Sequence, residues 1–314
     1  MKAVFIAEYG EPDRLTYGDV PEPRIDREEV LVQVRACSLN RREMFVREGS
    51  HGTRTSLPQV MGMEGAGDVV QVGEGVTNIQ VGDRVFGRLR GAYAEYAKGP
   101  YQDLYPLPEG MSYQEGSTIS VVFPTAWHLL ICRDKVSLGE DVLIMAAGSG
   151  VGIAAIQIAK GAGCRVFTTA STDEKLEKAM ALGADVGINY REEEFSKRVL
   201  ELTDGQGVDL VLDHIGAPVW EQCFASIKRG GRFINCGVSA GHLVQLHLGQ
   251  LWTRDLTIMG SSGRPREDMP KILPLLARGD LKPVIAKAFP LEQATEAHRV
   301  MEASDFFGKI VLYN

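Results

Sequence analysis

The sequence predicts an α/β fold in which a doubly wound parallel sheet is joined to a second, β-rich unit. Three observations carry this. Residues 142–160, VLIMAAGSGVGIAAIQIAK, run from an apolar strand through a turn of small residues into an apolar helix. Downstream, strand and helix patterns alternate every ~25 residues, the rhythm of right-handed β-α-β crossovers and a parallel sheet covered on both faces. The first ~120 residues instead carry short, valine-rich alternating runs broken by Gly, Pro and acidic turns, the signature of half-buried antiparallel strands.

Taken in order, KAVFIAEYG, RLTYGDV, EVLVQVRACSL, GAGDVVQVGEGV, DRVFGRL and AYAEYAKG read as strands of a twisted, barrel-like sheet. A helical segment, 112–135, follows; Ser112 and Glu115 form a capping-box pattern at its start, and Pro124 is placed to break or kink it. The parallel-sheet strands are 142–146, 164–170, 184–190, 208–216 and 231–237, with helices at 171–183, 192–205 and 219–231 between them. Another strand and turn lies at 255–263. Amphipathic helices at 269–281 and 291–304 alternate with the strands KPVIAKAFP and GKIVLYN, which are expected to return to the N-terminal β unit.

Composition narrows the function classes. At 314 residues the chain can form two domains, and 44% hydrophobic with 24% charged residues is an ordinary globular balance. A net charge of −7 without a basic run argues against nucleic acid as a partner. No apolar stretch reaches the ~20 residues needed to span a bilayer, and the N-terminus does not read as a signal peptide. The five cysteines are scattered, odd in number and mostly inside apolar runs, as expected of buried thiols in the cytoplasm.

The turn Ala147-Gly148-Ser149-Gly150-Val151-Gly152 is the chemical centre of the chain. Small residues let backbone approach a pyrophosphate, while the helix N-terminus offers unpaired N–H groups and a partial positive charge. Ala147 and Ser149 stand where the strict glycine fingerprint has its first two glycines. Ala147, Ser149, Gly150, Val151 and Gly152 are therefore candidate dinucleotide-binding residues. No Asp or Glu ends the second strand, CRVFTTA, where an acid would accept from the ribose 2′-OH of NAD.

Several segments together resemble the medium-chain dehydrogenase/reductase superfamily, in its quinone oxidoreductase-like, zinc-free branch. They are GEPDRLTYGDVPEP, GMEGAGDVVQVGEGVTNIQVGDRV, GAYAEYA, the Pro124-Thr125-Ala126-Trp127 segment, AAGSGVGIAAIQIAK and FGKIVLYN. The resemblance spans essentially the whole chain. It implies a GroES-like catalytic domain, 1–121 and 258–314, and a Rossmann dinucleotide-binding domain, 122–257, with the active site in the cleft between them. It further implies a homodimer whose parallel sheets pair edge to edge near residues 255–260.

The resemblance also locates the positions at which zinc-dependent relatives ligate their catalytic metal. They fall here at Asn40, Met63 and about Val121, none of which supplies thiolate, imidazole or carboxylate. The four-cysteine structural lobe of longer relatives is missing, and the six histidines suggest no cluster by spacing. No metal is expected. Without a Lewis acid, alcohol oxidation is disfavoured. The reaction that fits is hydride transfer from NADPH to a quinone or an α,β-unsaturated carbonyl. Two alternatives stay open: a zinc-type alcohol dehydrogenase, and an NADPH-binding sensing or structural protein with little turnover.

For site residues, the resemblance points to Ser171, Lys175 and Tyr190 on the 2′-phosphate, a hydroxyl, an ammonium and a phenol that suit a phosphate. It points to Asn40 beside the nicotinamide or the substrate oxygen, and to Thr125 on the nicotinamide ribose. Cys236 and Gly237 would line the nicotinamide, Ser261, Ser262 and Gly263 would sit near its carboxamide or the substrate, and Lys309 would lie near the cofactor. Five of them have a plainer reading: helix N-cap for Asn40, kink hydroxyl for Thr125, solvated lysine for Lys175 and Lys309, strand-end packing for Tyr190. Arg41, Arg42, Glu43 and Arg47 read equally as a solvated helix face or as substrate contacts, and Phe45, Trp127 and Trp252 as a substrate wall or plain core. No residue stands out as a proton donor.

Overall fold

A computed structural model describes all residues from Met1 to Asn314. The chain divides into two compact units, 1–121 with 283–314, and 122–282. The second boundary falls after Lys282 rather than after residue 257, because the strand at 257–260 and the helix after it belong to the parallel-sheet unit.

The first unit opens with β1 (Lys2–Ile6), β2 (Leu15–Asp19) and β3 (Glu29–Ser38), then α1 (Arg41–Glu48). β4 (Gln59–Val60), β5 (Glu64–Val72), β6 (Arg84–Arg88), β7 (Tyr96–Pro100), β8 (Leu104–Pro106) and the short α2 (Tyr113–Gly116) follow. Alternation in β3 buries Val30, Val32 and Val34, and β5 buries Ala66 and Val69 across a register shift in the pairing. The two strands pair antiparallel, Val32 opposite Val69 and Ala36 opposite Ala66. The capping box at Ser112 and Glu115 is present, Ser112 accepting from Glu115 N. The segment 112–135 is not one helix, however. It ends at Gly116 and resumes as α3 (Val122–Trp127), leading into a π-helical stretch, His128–Asp134. Pro124 sits in the first turn of α3, where its missing N–H costs nothing, and the expected break falls just before it, at 117–121.

The second unit contains the parallel sheet. Its elements are β9 (Asp141–Ile144), α4 (Gly150–Gly161), β10 (Arg165–Ala170), α5 (Asp173–Ala181), β11 (Val186–Asn189), α6 (Phe195–Leu202), β12 (Val208–Asp213), α7 (Trp220–Ser226), β13 (Ile227–Asn235), α8 (Leu248–Thr253), β14 (Thr257–Gly260) and α9 (Met269–Arg278). The strand order is β11-β10-β9-β12-β13-β14, all pairs parallel. The order reverses at β9, so the turn after β9 lies at the switch point where doubly wound sheets bind ligands. β13 starts earlier than the glycine pair Gly230-Gly231 suggests, because α7 stops at Ser226 and the strand runs through those glycines.

The chain then returns to the first unit as β15 (Ile285–Pro290), α10 (Ala294–Ala303) and β16 (Lys309–Tyr313). β16 pairs antiparallel with β3, Leu312 opposite Cys37, completing a seven-stranded sheet. That return is the one the sequence suggests. No helix is long and apolar enough to cross a membrane.

Candidate functional site

In the parallel-sheet unit, the turn after β9 is held open by its own side chains. Ser149 is the N-cap of α4, its hydroxyl accepting from Gly152 N at 2.9 Å and meeting His214 Nε2 at 2.8 Å. A Cβ on Gly152 would stand 2.3 Å from the Ala146 carbonyl oxygen, so only glycine lets strand and helix approach this closely. Ala147 is fully buried, while Gly150 and Val151 remain half-buried on the first turn. The turn thus presents the start of a 12-residue helix to any anionic group placed there. These features fit a dinucleotide pyrophosphate.

The neighbouring strand ends supply the rest. β10 and β11 pair through Ala170 opposite Asn189, which brings Ser171 and Tyr190 to one edge of the sheet. Lys175 Nζ lies 3.3 Å from Ser171 Oγ, and Tyr190 is 50% exposed. Asp173 is turned to Asn189 Nδ2 at 2.9 Å, so no carboxylate ends β10 itself. Farther along the same edge, Asn235 Oδ1 accepts from Gly237 N and Asn235 O accepts from Ser261 N. That pins Cys236, Gly237, Ser261 and Ser262 beyond the ends of β13 and β14. Burial pushes the Cys236 thiol up to about 12, which keeps it protonated. Thr125 is half-buried on α3.

In the β-rich unit the sequence reading missed the dominant feature. Glu64, fully buried, accepts from Ser38 Oγ at 2.7 Å, Asn40 Nδ2 at 2.9 Å, Ser120 Oγ at 2.9 Å, Val121 N at 3.0 Å and Lys309 Nζ at 3.1 Å. Burial alone would raise its pKa, but Lys309 and the donating groups outweigh that and hold it below the usual glutamate value. Lys309 gives its other donors to Leu39 O and Asn40 Oδ1, both at 2.7 Å. It is therefore neither a surface lysine nor one with a spare donor. Asn40 does precede α1 as its N-cap residue, yet its side-chain oxygen is taken by Lys309 and one of its two amide N–H groups by Glu64. The capping bond that forms runs from Asn40 N to Glu43 Oε2 at 2.9 Å.

Two further expectations need correction. Glu43 and Arg47 are not a solvated helix face: both are buried, Arg47 at 1% exposure, donating to Gly10 O and Glu302 and meeting His298 Nδ1 at 3.3 Å. Nor do the histidines lack a cluster, since His128, Cys132 and Asp268 converge in the parallel-sheet unit. Among the aromatic residues, Trp252 is 79% exposed on α8, and Phe45 stacks on His51 with ring centroids 4.0 Å apart.

Known proteins share this framework. Residues 26–109 match the alcohol dehydrogenase GroES-like domain and residues 150–278 the zinc-binding dehydrogenase domain. Quinone oxidoreductase from Homo sapiens is 31% identical over 322 residues, covering 99% of this chain and 97% of its own. The chain belongs to the medium-chain dehydrogenase/reductase superfamily and is quinone oxidoreductase-like. Among solved members of this superfamily, a protein described as an NAD-dependent alcohol dehydrogenase is 37% identical, with a TM-score of 0.96 and full coverage of both chains. Escherichia coli quinone oxidoreductase, solved with NADPH, is 28% identical with a TM-score of 0.92, again over the full length of both. The resemblance places the superfamily's catalytic metal positions at Asn40, Met63 and about Val121. Met63 and Val121 have no suitable group, and the Asn40 amide oxygen is taken by Lys309.

Proposed function

We propose that this protein is an NADPH-dependent oxidoreductase that reduces quinones or α,β-unsaturated carbonyls without a catalytic metal. The observation that carries the cofactor choice is the edge at β10 and β11. It lacks a terminal acid and gathers Ser171, Lys175 and Tyr190 where a ribose 2′-phosphate would lie. Reduced nicotinamide, when bound, supplies the hydride. The chain's own residues hold it. The α4 N-terminus and the backbone of Ala147–Gly152 take the pyrophosphate, Thr125 the ribose, and Cys236, Gly237, Ser261 and Ser262 the nicotinamide side. In the β-rich unit, Glu64 and Lys309 fix the Asn40 amide, which still has one N–H to offer a substrate oxygen. An electron-poor acceptor needs only such a hydrogen bond and a proton from solvent.

The reading includes a cytoplasmic homodimer. All five cysteines are free thiols, as a reducing compartment requires. β14 is an edge strand, and exposed Leu248, Trp252 and Ile258 lie on it or on the helix before it, a surface that pairing with a second copy would cover.

The test is NADPH consumption by chelator-treated protein with an ortho-quinone and with a simple enone, NADH run alongside. Turnover with NADPH supports the reading. Oxidation of simple alcohols that returns only with added zinc would replace it with the metal-dependent reaction, and tight NADPH binding with no turnover would replace it with a sensing role.

A further inference from the structure

A second cluster of chemically able side chains uses none of the residues assigned above to the cofactor. His128 and Cys132 stand four residues apart on the π-helical stretch after α3. Facing them is Asp268, which occupies the N-cap position of α9 but does not cap that helix. Its carboxylate instead meets His128 Nδ1 at 3.1 Å through Oδ2 and Cys132 Sγ at 3.3 Å through Oδ1. The ligand atoms of all three residues lie within 4.8 Å of one another. Asp268 is buried, whereas the His128 side chain is 21% accessible, so the cluster has a fixed floor and an entrance. Gly263 packs on the opposite edge of the imidazole, where a Cβ would lie 2.8 Å from Nε2 and from Cδ2.

We infer that His128, Cys132 and Asp268 form a binding site for one Zn²⁺ ion, with an open fourth position. One imidazole, one thiolate and one carboxylate are a borderline-soft set that suits zinc and suits Mg²⁺ or Ca²⁺ poorly. Metal–ligand bonds of roughly 2.0–2.3 Å place tetrahedral ligand atoms roughly 3.3–3.8 Å apart; the pairs at 3.1 and 3.3 Å are already close to this, and the widest, within 4.8 Å, has to close by up to about 1 Å. Two groups must give way. The Cys132 thiol, held protonated by burial and by Asp268, loses its proton to the buffer as the sulfur–zinc bond forms. Lys271 Nζ, 3.1 Å from Asp268 Oδ1, must swing aside, and as a half-exposed side chain it can. All three ligands belong to the parallel-sheet unit, while Asn40, Met63 and Val121 belong to the β-rich unit. Zinc found in the purified protein would therefore not by itself speak for alcohol dehydrogenation, and this site stands or falls independently of the proposed reaction.

The experiment titrates chelator-stripped, full-length protein with Zn²⁺ and with Co²⁺ as a spectroscopic substitute. The expected result is one equivalent of zinc retained after desalting and one proton released per ion. Co²⁺ should produce a thiolate-to-metal charge-transfer band that Cys132→Ser abolishes. Lys271→Met, which removes the competing cation without touching a ligand, should tighten zinc binding by ~10-fold. No stoichiometric binding overturns the site. So does a cobalt spectrum unchanged in Cys132→Ser, or zinc affinity unaffected by both Lys271→Met and Asp268→Asn.

Discussion

Glu43 shows how one side chain ties local structure to stability. It returns the capping bond to Asn40 N, yet burial raises its pKa to about 7. A carboxyl whose folded pKa lies above its unfolded value binds its proton more tightly in the native state. Its favourable contribution is present in acid and is lost as pH rises from the unfolded value to about 7. Stability should thus fall across that window by up to ~3 kcal/mol from this group. Glu43→Gln keeps a capping acceptor and should flatten the slope; equal pH dependence of the urea midpoint in both proteins would refute the assignment. Glu64 and Lys309 behave differently because they are paired. Lys309→Met strands a buried carboxylate and Glu64→Leu strands a buried ammonium, each costing ~3–5 kcal/mol. The double substitution should cost clearly less than the sum, as a double-mutant cycle in urea would report. Lys309 is a candidate in the sequence, but its pairing with Glu64 is not legible there. They are separated by 245 positions, and a lone glutamate in GMEG carries no sign of its partner.

At the scale of elements, the strand–turn–helix proposed to hold the cofactor was legible because its signal is contiguous. Apolar strand, small-residue turn and apolar helix follow one another within residues 142–160, and each obeys its own local rule. Gly152→Ala puts a Cβ against the Ala146 carbonyl and should cost ~1–3 kcal/mol along with most of the cofactor affinity, measurable by thermal shift with and without NADPH. α1 misled for the opposite reason. Glu43 and Arg47, four apart, look like a solvated face, and only long-range partners such as Gly10 and Glu302 bury the arginine. His128 and Asp268, 140 positions apart, likewise meet only in the fold.

For the whole molecule, two units and the return of the C-terminal strands follow from periodicity, whereas the second boundary does not. β14 looks the same in sequence whether it closes one sheet or opens another, and its parallel pairing to β13, Ile258 opposite Phe233, decides the matter. If that edge joins two copies, Trp252→Glu with Ile258→Lys should shift the mass in solution from dimer to monomer; light scattering would show it. The central claim concerns the cofactor, and the most direct measurement is the ratio of NADPH to NADH affinity in the native protein and in Lys175→Ala, followed by nicotinamide fluorescence. NADPH should bind at least ~10-fold more tightly than NADH, with the preference largely lost in the variant while NADH affinity stays unchanged. Equal or tighter binding of NADH by the native protein would contradict the account.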